Sequence, residues 1–294
     1  MLKRGIKKAL HHLGYEIHRR GSLSETHAAR GPTAQPAPID PVWPLPRRAG
    51  GPSDEEIRQQ FARYDLWHYA YEFDGGLSFP ARHNLPDALA DVPERPLQRF
   101  RHFMPYVLEA ENGSLQGRRV LDIACNSGFW SVQCALLGAE VVGFDARPEL
   151  IEQANFIKGI VGLDNLEFQT LDFWDMRPET LGGRFDIVLC LGILYHLSNP
   201  IEALELTKSM ARRLILLDTD VYPSFDSVLK LRWEEPVDIR TASTPGIVAH
   251  PTKSSVDLML RHIGVAEWFE IPVRGAEMPR DYLENKRASW LIRV

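Results

Sequence analysis

The chain has 294 residues, 44% of them hydrophobic, and a formal charge of -5. That is enough apolar material for one large domain with an appendage, or for two small ones. The acidic balance excludes bulk attraction to polyanions, so a nucleic acid would need a local basic patch, and no apolar run approaches the roughly 18 residues of a membrane-spanning helix.

Residues 1 to 20 predict a basic amphipathic helix. Lys3, Arg4, Lys7, Lys8, Arg19 and Arg20 face a single Glu16, while Ile6, Leu10, Leu13 and Ile17 recur at helical spacing. Such a helix can lie on an anionic membrane surface or dock on a partner, or remain a solvated terminus. Residues 21 to 52 hold seven prolines between Pro32 and Pro52 and read as an extended or disordered linker. With no apolar signal-peptide core ahead of it, the chain is expected in the cytoplasm, with peripheral membrane contact open.

Residues 53 to 117 are expected to form a helical and aromatic cap. Ser53 and Glu56 have capping-box spacing and open a helix with Ile57, Phe61 and Tyr64 on one face. The block YDLWHYAYEFDGG that follows either covers an edge of the core or roofs a substrate pocket, with Trp67 and His68 as its candidate substrate contacts. A second helix is predicted from Arg95 to Leu108.

Arg119 to Asp145 reads as strand, turn, helix, strand, ending on an acid. Val120, Leu121 and Ile123 carry the first strand, with Asp122 as a buried carboxylate that needs a partner. From Cys125 to Gly128 the chain must turn and aim backbone N–H groups at a ligand from a helix N-terminus. Asn126 and Gly128 suit the positive φ of that turn. Asp145 then falls where ribose-binding acids lie. The run D-I-A-C-N-S-G lacks the G-x-G-x-x-G of nicotinamide cofactor sites, and an acid inside the strand suits the amino-acid end of S-adenosyl-L-methionine (SAM). The alternative is a cofactor-free turn over a buried Asp.

Beyond Asp145, a helix from Pro148 to Ile160 and a strand from Leu166 to Leu171 lead to Asp172-Phe173. That pair can read an adenine amino group and ring nitrogen, or the Asp can cap its own backbone. Arg184 to Leu191 is the fourth strand, its run FDIVLCL apolar on both faces, as a buried parallel strand must be. Its end carries Tyr195 and His196, and ligands of open α/β sheets bind beyond such ends. A helix from Pro200 to Met210, a strand at 214–217, a helix from Ser254 with Asp257 at capping-box spacing, and strands at 268–273 and 289–293 complete a count of seven strands. Residues 223 to 252 show no clear element and are expected to form a lid after the fifth strand, with Tyr222 and Trp233 as substrate contacts and His250 as a second candidate base. His196 is the first candidate base, and Tyr195 an orienting hydroxyl. Cys125, Cys134 and Cys190 are odd in number, without C-x-x-C spacing, and no His/Cys cluster calls for a metal.

D-I-A-C-N-S-G-F at Asp122 to Phe129, L-G-I-L-Y-H-L at Leu191 to Leu197, and W-H-x-x-x-E-x-D-G at Trp67 to Gly75 together resemble the class I SAM-dependent methyltransferases. Within them, the chain is similar to the branch of wobble-uridine tRNA methyltransferase-like proteins and to related small-molecule and glycoconjugate O-methyltransferases. The resemblance implies a Rossmann-like, seven-stranded, mostly parallel sheet with helices on both faces over residues 118 to 294. It further implies SAM contact by Asp122, Cys125, Asn126, Gly128, Asp145 and Asp172, with Tyr195 and His196 on the substrate side; Phe173 and Leu191 are further candidate cofactor contacts. Ala124 departs from the family's glycine and narrows the approach to the methionine moiety. The expected activity is methyl transfer to a hydroxyl of a small molecule, sugar or glycoconjugate, with no nucleic acid partner; a tRNA-modifying transferase and an inactive SAM-binding scaffold are the alternatives.

Overall fold

The computed structural model describes residues 35–84, 94–275 and 277–294. The predicted basic helix, and the linker up to residue 34, lie outside the described residues. Among the described residues no helix is long and apolar enough to cross a membrane.

Seven strands form one sheet. In chain order they are β3 (Arg119–Ile123), β4 (Glu140–Asp145), β5 (Leu166–Thr170), β6 (Phe185–Leu191), β7 (Ala211–Asp220), β10 (Glu267–Glu270) and β11 (Arg287–Arg293). Ahead of them, β1 (Tyr71–Phe73) and β2 (Leu77–Phe79) pair as a small hairpin, and β8 (Leu229–Glu234) pairs with β9 (Gly246–Pro251) as another. The sheet order is β10-β11-β7-β6-β3-β4-β5; the five central and outer strands β7-β6-β3-β4-β5 run parallel, and β11 and β10 are antiparallel additions. The expected seven-stranded, mostly parallel sheet is therefore present.

Strand side chains alternate between two apolar layers. Val120, Ile187, Leu189 and Leu216 pack under α2 (Arg95–Ala110), α3 (Phe129–Leu136) and α4 (Pro148–Val161). Leu121, Ile123, Val188 and Leu217 pack against α5 (Pro200–Met210) and α6 (Lys253–His262) on the opposite face. From β3 the chain builds outward through β4 and β5, then crosses to β6 and β7 on the other side. That reversal leaves a crevice at the C-terminal ends of β3 and β6, where ligands of open sheets bind.

In the cap, Ser53 and Glu56 close the expected capping box on α1 (Asp54–Ala62), and Phe61 stacks on Phe79 and Trp67 at ring-centroid distances of 3.7 and 4.2 Å. The structure corrects three details. From Gln35 onward the expected linker is a strap bound to the core. Val42 exchanges both backbone hydrogen bonds with the Gln133 amide, Leu45 bonds Glu72 and Asp74 of the β1–β2 hairpin, and Leu45 is only 1% exposed. Proline content removed donors but left these carbonyls and N–H groups free to pair. The stretch at 223–252 is not without an element: it contains the β8–β9 hairpin, whose L-K-L-R-W-E strand alternates apolar and polar residues. Finally, Thr252 rather than Ser254 caps α6, its hydroxyl accepting the Ser255 N–H.

Candidate functional site

The turn after β3 is built from three left-handed residues, Ala124 (φ 53°), Asn126 (φ 53°) and Gly128 (φ 85°). Asn126 tolerates that conformation because its side-chain oxygen accepts the Ser127 N–H at 2.7 Å. Gly128 has no room to be anything else, since a Cβ there would lie 2.6 Å from Phe168 Cζ. Ala124 carries its Cβ at a φ where glycine is strain-free, which is the physical meaning of its departure from the family pattern. Below the turn, the Tyr71 hydroxyl donates to the Ser127 carbonyl at 2.6 Å, tying the cap to the loop.

Asp122 is 2% exposed, and its Oδ2 accepts the Ser131 hydroxyl at 2.6 Å. Burial pushes its carboxyl up to about 7, against the lowering effect of Ser131. The side chain thus braces the first turn of α3 from beneath and lines neither ligand cavity; Cys125 and Gly128 likewise shape the loop without reaching the cavities.

Asp145 ends β4 with each oxygen held by a backbone N–H, Oδ2 by Asn126 at 3.1 Å and Oδ1 by Arg147 at 3.0 Å. Burial raises its carboxyl, and the bond to Arg147 N–H and the Arg147 charge partly offset this. It lies between two connected compartments. A narrow one of about 290 Å³ runs from Ala124 and Asp145 past Asp172, Phe173 and Trp174, roofed by residues 241–248. Asp172 lines this compartment while its Oδ1 also accepts the Trp174 N–H at 2.9 Å, so it is a backbone cap that still presents carboxylate oxygen to the cavity. The lining fits SAM: carboxylates at Asp145 and Asp172 that can accept from hydroxyl or amino groups, a buried aromatic ring at Phe173, and the turn at Asn126.

The wide compartment, about 790 Å³, shares Ala124, Asp145, Arg147, Ile193 and His196 with the narrow one. His68, Leu191, Tyr195, His196, Trp233 and His250 all line it. His196 Nδ1 lies 2.6 Å from Glu234 Oε2, and its ring centroid is 4.0 Å from that of Tyr195. Burial would raise the Glu234 carboxyl, but the hydrogen bond and charge of His196 outweigh it and hold it below the ordinary range. Burial raises the Tyr195 phenol, which therefore stays protonated at neutral pH, and lowers His250 and, more strongly, His68, leaving those imidazoles neutral.

Two expected substrate contacts are not in the chamber. Trp67 is 0% exposed, stacked on Phe61 with its indole donating to the Phe61 carbonyl, because the aromatic block folds inward as core. Tyr222 lies outside both cavities at the foot of the hairpin, with Lys230 Nζ 5.9 Å from its ring centre.

Sequence reading also missed the chamber's polar floor. Asp218 on β7 is fully buried and accepts from Arg99 Nη2 at 2.6 Å and from Arg287 Nε, Tyr282 Oη and Ser289 Oγ at 2.7 Å each. Burial would raise this carboxyl, but Arg287 and Arg99 hold it far below the usual carboxylate range. A signal existed: Arg99 stands within the inward stripe of α2, beside Phe100 and Phe103, where a cation needs a buried partner.

Comparison with known proteins agrees with this geometry. Residues 114–232 match the family described as a methyltransferase domain. A tRNA U34 carboxymethyltransferase of Helicobacter hepaticus is 28% identical over 137 residues, 44% of this chain and 43% of that protein. A ubiquinone biosynthesis O-methyltransferase of Xanthomonas campestris pv. campestris is 31% identical over 124 residues, 42% of this chain and 50% of that one. The match thus spans half or less of these curated relatives. The N-terminal domain of EvdMO1, crystallised in the presence of S-adenosylhomocysteine (SAH) and D-fucose, has the same fold: TM-score 0.65 at 22% identity, covering 84% of this chain and all of that one. The residues matched to a methyltransferase domain, 114–232, carry the loop after β3 and the parallel strands β3 to β7 of this sheet.

Proposed function

We propose that this protein methylates a hydroxyl group of a small molecule, sugar or glycoconjugate, using SAM. The observation that carries the reading is the two-part cleft: a narrow, carboxylate-lined limb meets a wide chamber at Asp145 and His196, with Tyr195 beside His196 in the chamber wall. The turn at Ala124–Gly128 and the acids Asp145 and Asp172 hold SAM, and the acceptor occupies the chamber. Bound SAM supplies a methyl carbon on a sulfonium; the acceptor oxygen bonds to it as the S–CH3 bond breaks and its electron pair returns to sulfur, leaving neutral SAH. His196 takes the hydroxyl proton on Nε2, and Tyr195, protonated and beside it, orients the acceptor by donating a hydrogen bond. Positioning of the two reactants supplies most of the acceleration, with proton transfer to His196 adding about 10²- to 10⁴-fold. The sugar in the EvdMO1 crystals and the hydroxyl-methylating ubiquinone relative favour this acceptor class.

A second reading, transfer to a tRNA, is favoured by the names of other relatives and by Arg232, Arg280 and Lys286 at the chamber rim. Incubation with methyl-labelled SAM and fractionated host extract separates the two. Label in a small-molecule or glycoconjugate fraction is the expected result; label confined to RNA would establish the second reading instead.

A further inference from the structure

The hairpin contributes more than a wall to the chamber. Glu234 is the last residue of β8, 38 positions beyond His196, yet its Oε2 lies 2.6 Å from the imidazole Nδ1, and the two side chains are only 21% and 9% exposed. The same Oε2 accepts the Ala242 N–H at 3.0 Å, so a second bond pins the carboxylate. The hairpin is in turn bonded to the turn that carries His196, through the Ala249 N–H and the Leu197 carbonyl at 3.1 Å. The Tyr195 ring covers one side of the imidazole, and Nε2 has no partner among the described residues.

A carboxylate on Nδ1 selects the tautomer with the proton on that nitrogen, which leaves the Nε2 lone pair to accept a proton. It also stabilises the imidazolium formed when Nε2 is protonated, more strongly where water is largely excluded. The remaining charged or titratable groups near the ring are Tyr195 and its neighbour Arg287 on β11, and His250 on β9, itself flanked by Arg232 and Asp220. None of these reaches Nδ1.

We propose that Glu234 is a positioning residue that holds His196 in its proton-accepting tautomer, so that the general base is complete only when the β8–β9 hairpin is seated. This rests on the reading of His196 as the base. In the step it serves, the acceptor's O–H proton moves to Nε2 while the O–CH3 bond forms, and the charge gained by the imidazole is balanced across the Nδ1–H···Oε2 bond.

The test reads the ring nitrogens of His196 by long-range ¹⁵N–¹H NMR on the full chain with SAH bound, at neutral pH. The expected wild-type spectrum shows a protonated Nδ1 and a bare Nε2. Glu234→Gln, nearly isosteric and uncharged, should move both signals toward a tautomer mixture while SAH affinity and the melting temperature stay within error. With the acceptor fraction that takes up label, the same variant should lose about 10- to 100-fold in kcat with KM for SAM little changed. A wild-type Nε2–H, or ring signals unmoved in Glu234→Gln, overturns the role of Glu234, and the first of these needs no variant to fold. Undiminished turnover in His196→Ala overturns the underlying base reading, and is recognised separately because the wild-type nitrogen signals would still show the selected tautomer.

Discussion

Asp122 and Asp145 are carboxylates on neighbouring strands, and their surroundings divide the work between them. Asp145 reaches the junction of the two compartments, so Asp145→Ala should weaken SAH binding by about 1 to 3 kcal/mol in titration calorimetry, the cost of removing a charged acceptor from a partly buried hydroxyl pair. Unchanged affinity would remove the ribose assignment. Asp122 lines neither cavity, and its effect is expected on folding. Its carboxyl is raised to about 7 in the folded protein, against about 4 in an unfolded chain. The folded state therefore keeps this proton to higher pH, and the associated stability is complete below about pH 4 and lost as pH rises through about 7. Asp122→Asn cannot ionise and can still accept from Ser131. Urea denaturation should show wild-type stability falling relative to that variant between about pH 4 and 7; parallel curves would contradict the shift.

Among the elements, the strap and the β8–β9 hairpin are the two that sequence reasoning described least well, for different reasons. The strap has the composition of a linker, and its hold on the core comes from Gln133, a buried amide on a helix that nothing local marks as a partner for Val42. Leu45→Ala should cost about 2 to 4 kcal/mol by urea denaturation, as for other buried leucines; a loss below about 0.5 kcal/mol would mean that the strap is an ornament after all. The hairpin did carry its signal, the period-two alternation of residues 229 to 234. Prolines and glycine on either side masked it as an irregular stretch. Arg232, Trp233 and Glu234 at its end all line the chamber, while Leu231 and Trp233 remain 57% and 66% exposed.

At the scale of the molecule, the antiparallel strand β11, the parallel strand β7 and α2 are joined through Asp218. Arg99 from α2, Tyr282 from the short helix Arg280–Leu283, and Arg287 and Ser289 from β11 converge on one carboxylate beneath the chamber. Asp218→Ala would leave two buried guanidiniums without that anion, and a loss of about 3 to 5 kcal/mol is expected in thermal or urea unfolding. Because this carboxyl is held far below its unfolded value, its contribution is present above about pH 4 and declines as pH falls further. Ligand linkage acts on the whole fold in the same experiments. SAH at 100 times its dissociation constant should raise unfolding stability by about 2.7 kcal/mol, seen as a higher melting temperature.

The strands β3, β4 and β6, the loop after β3, and the acids Asp145 and Asp172 were legible in the sequence because each depends on neighbours within a few residues. Apolar runs, a residue able to adopt positive φ, and an acid at a strand end are local properties of the chain, and so was the position of Tyr195 and His196 beyond β6. Tertiary structure alone decided which rings of the aromatic block line a cavity, placing His68 in the chamber wall and Trp67 in the core. It also decided the partners of buried polar groups: Gln133 for the strap, Asp218 for Arg99 and Arg287, and Glu234 for His196. Those pairings span 38 to 119 positions, and a hydrogen bond over such a distance follows from how the sheet brings its edges and loops together, which no local pattern encodes.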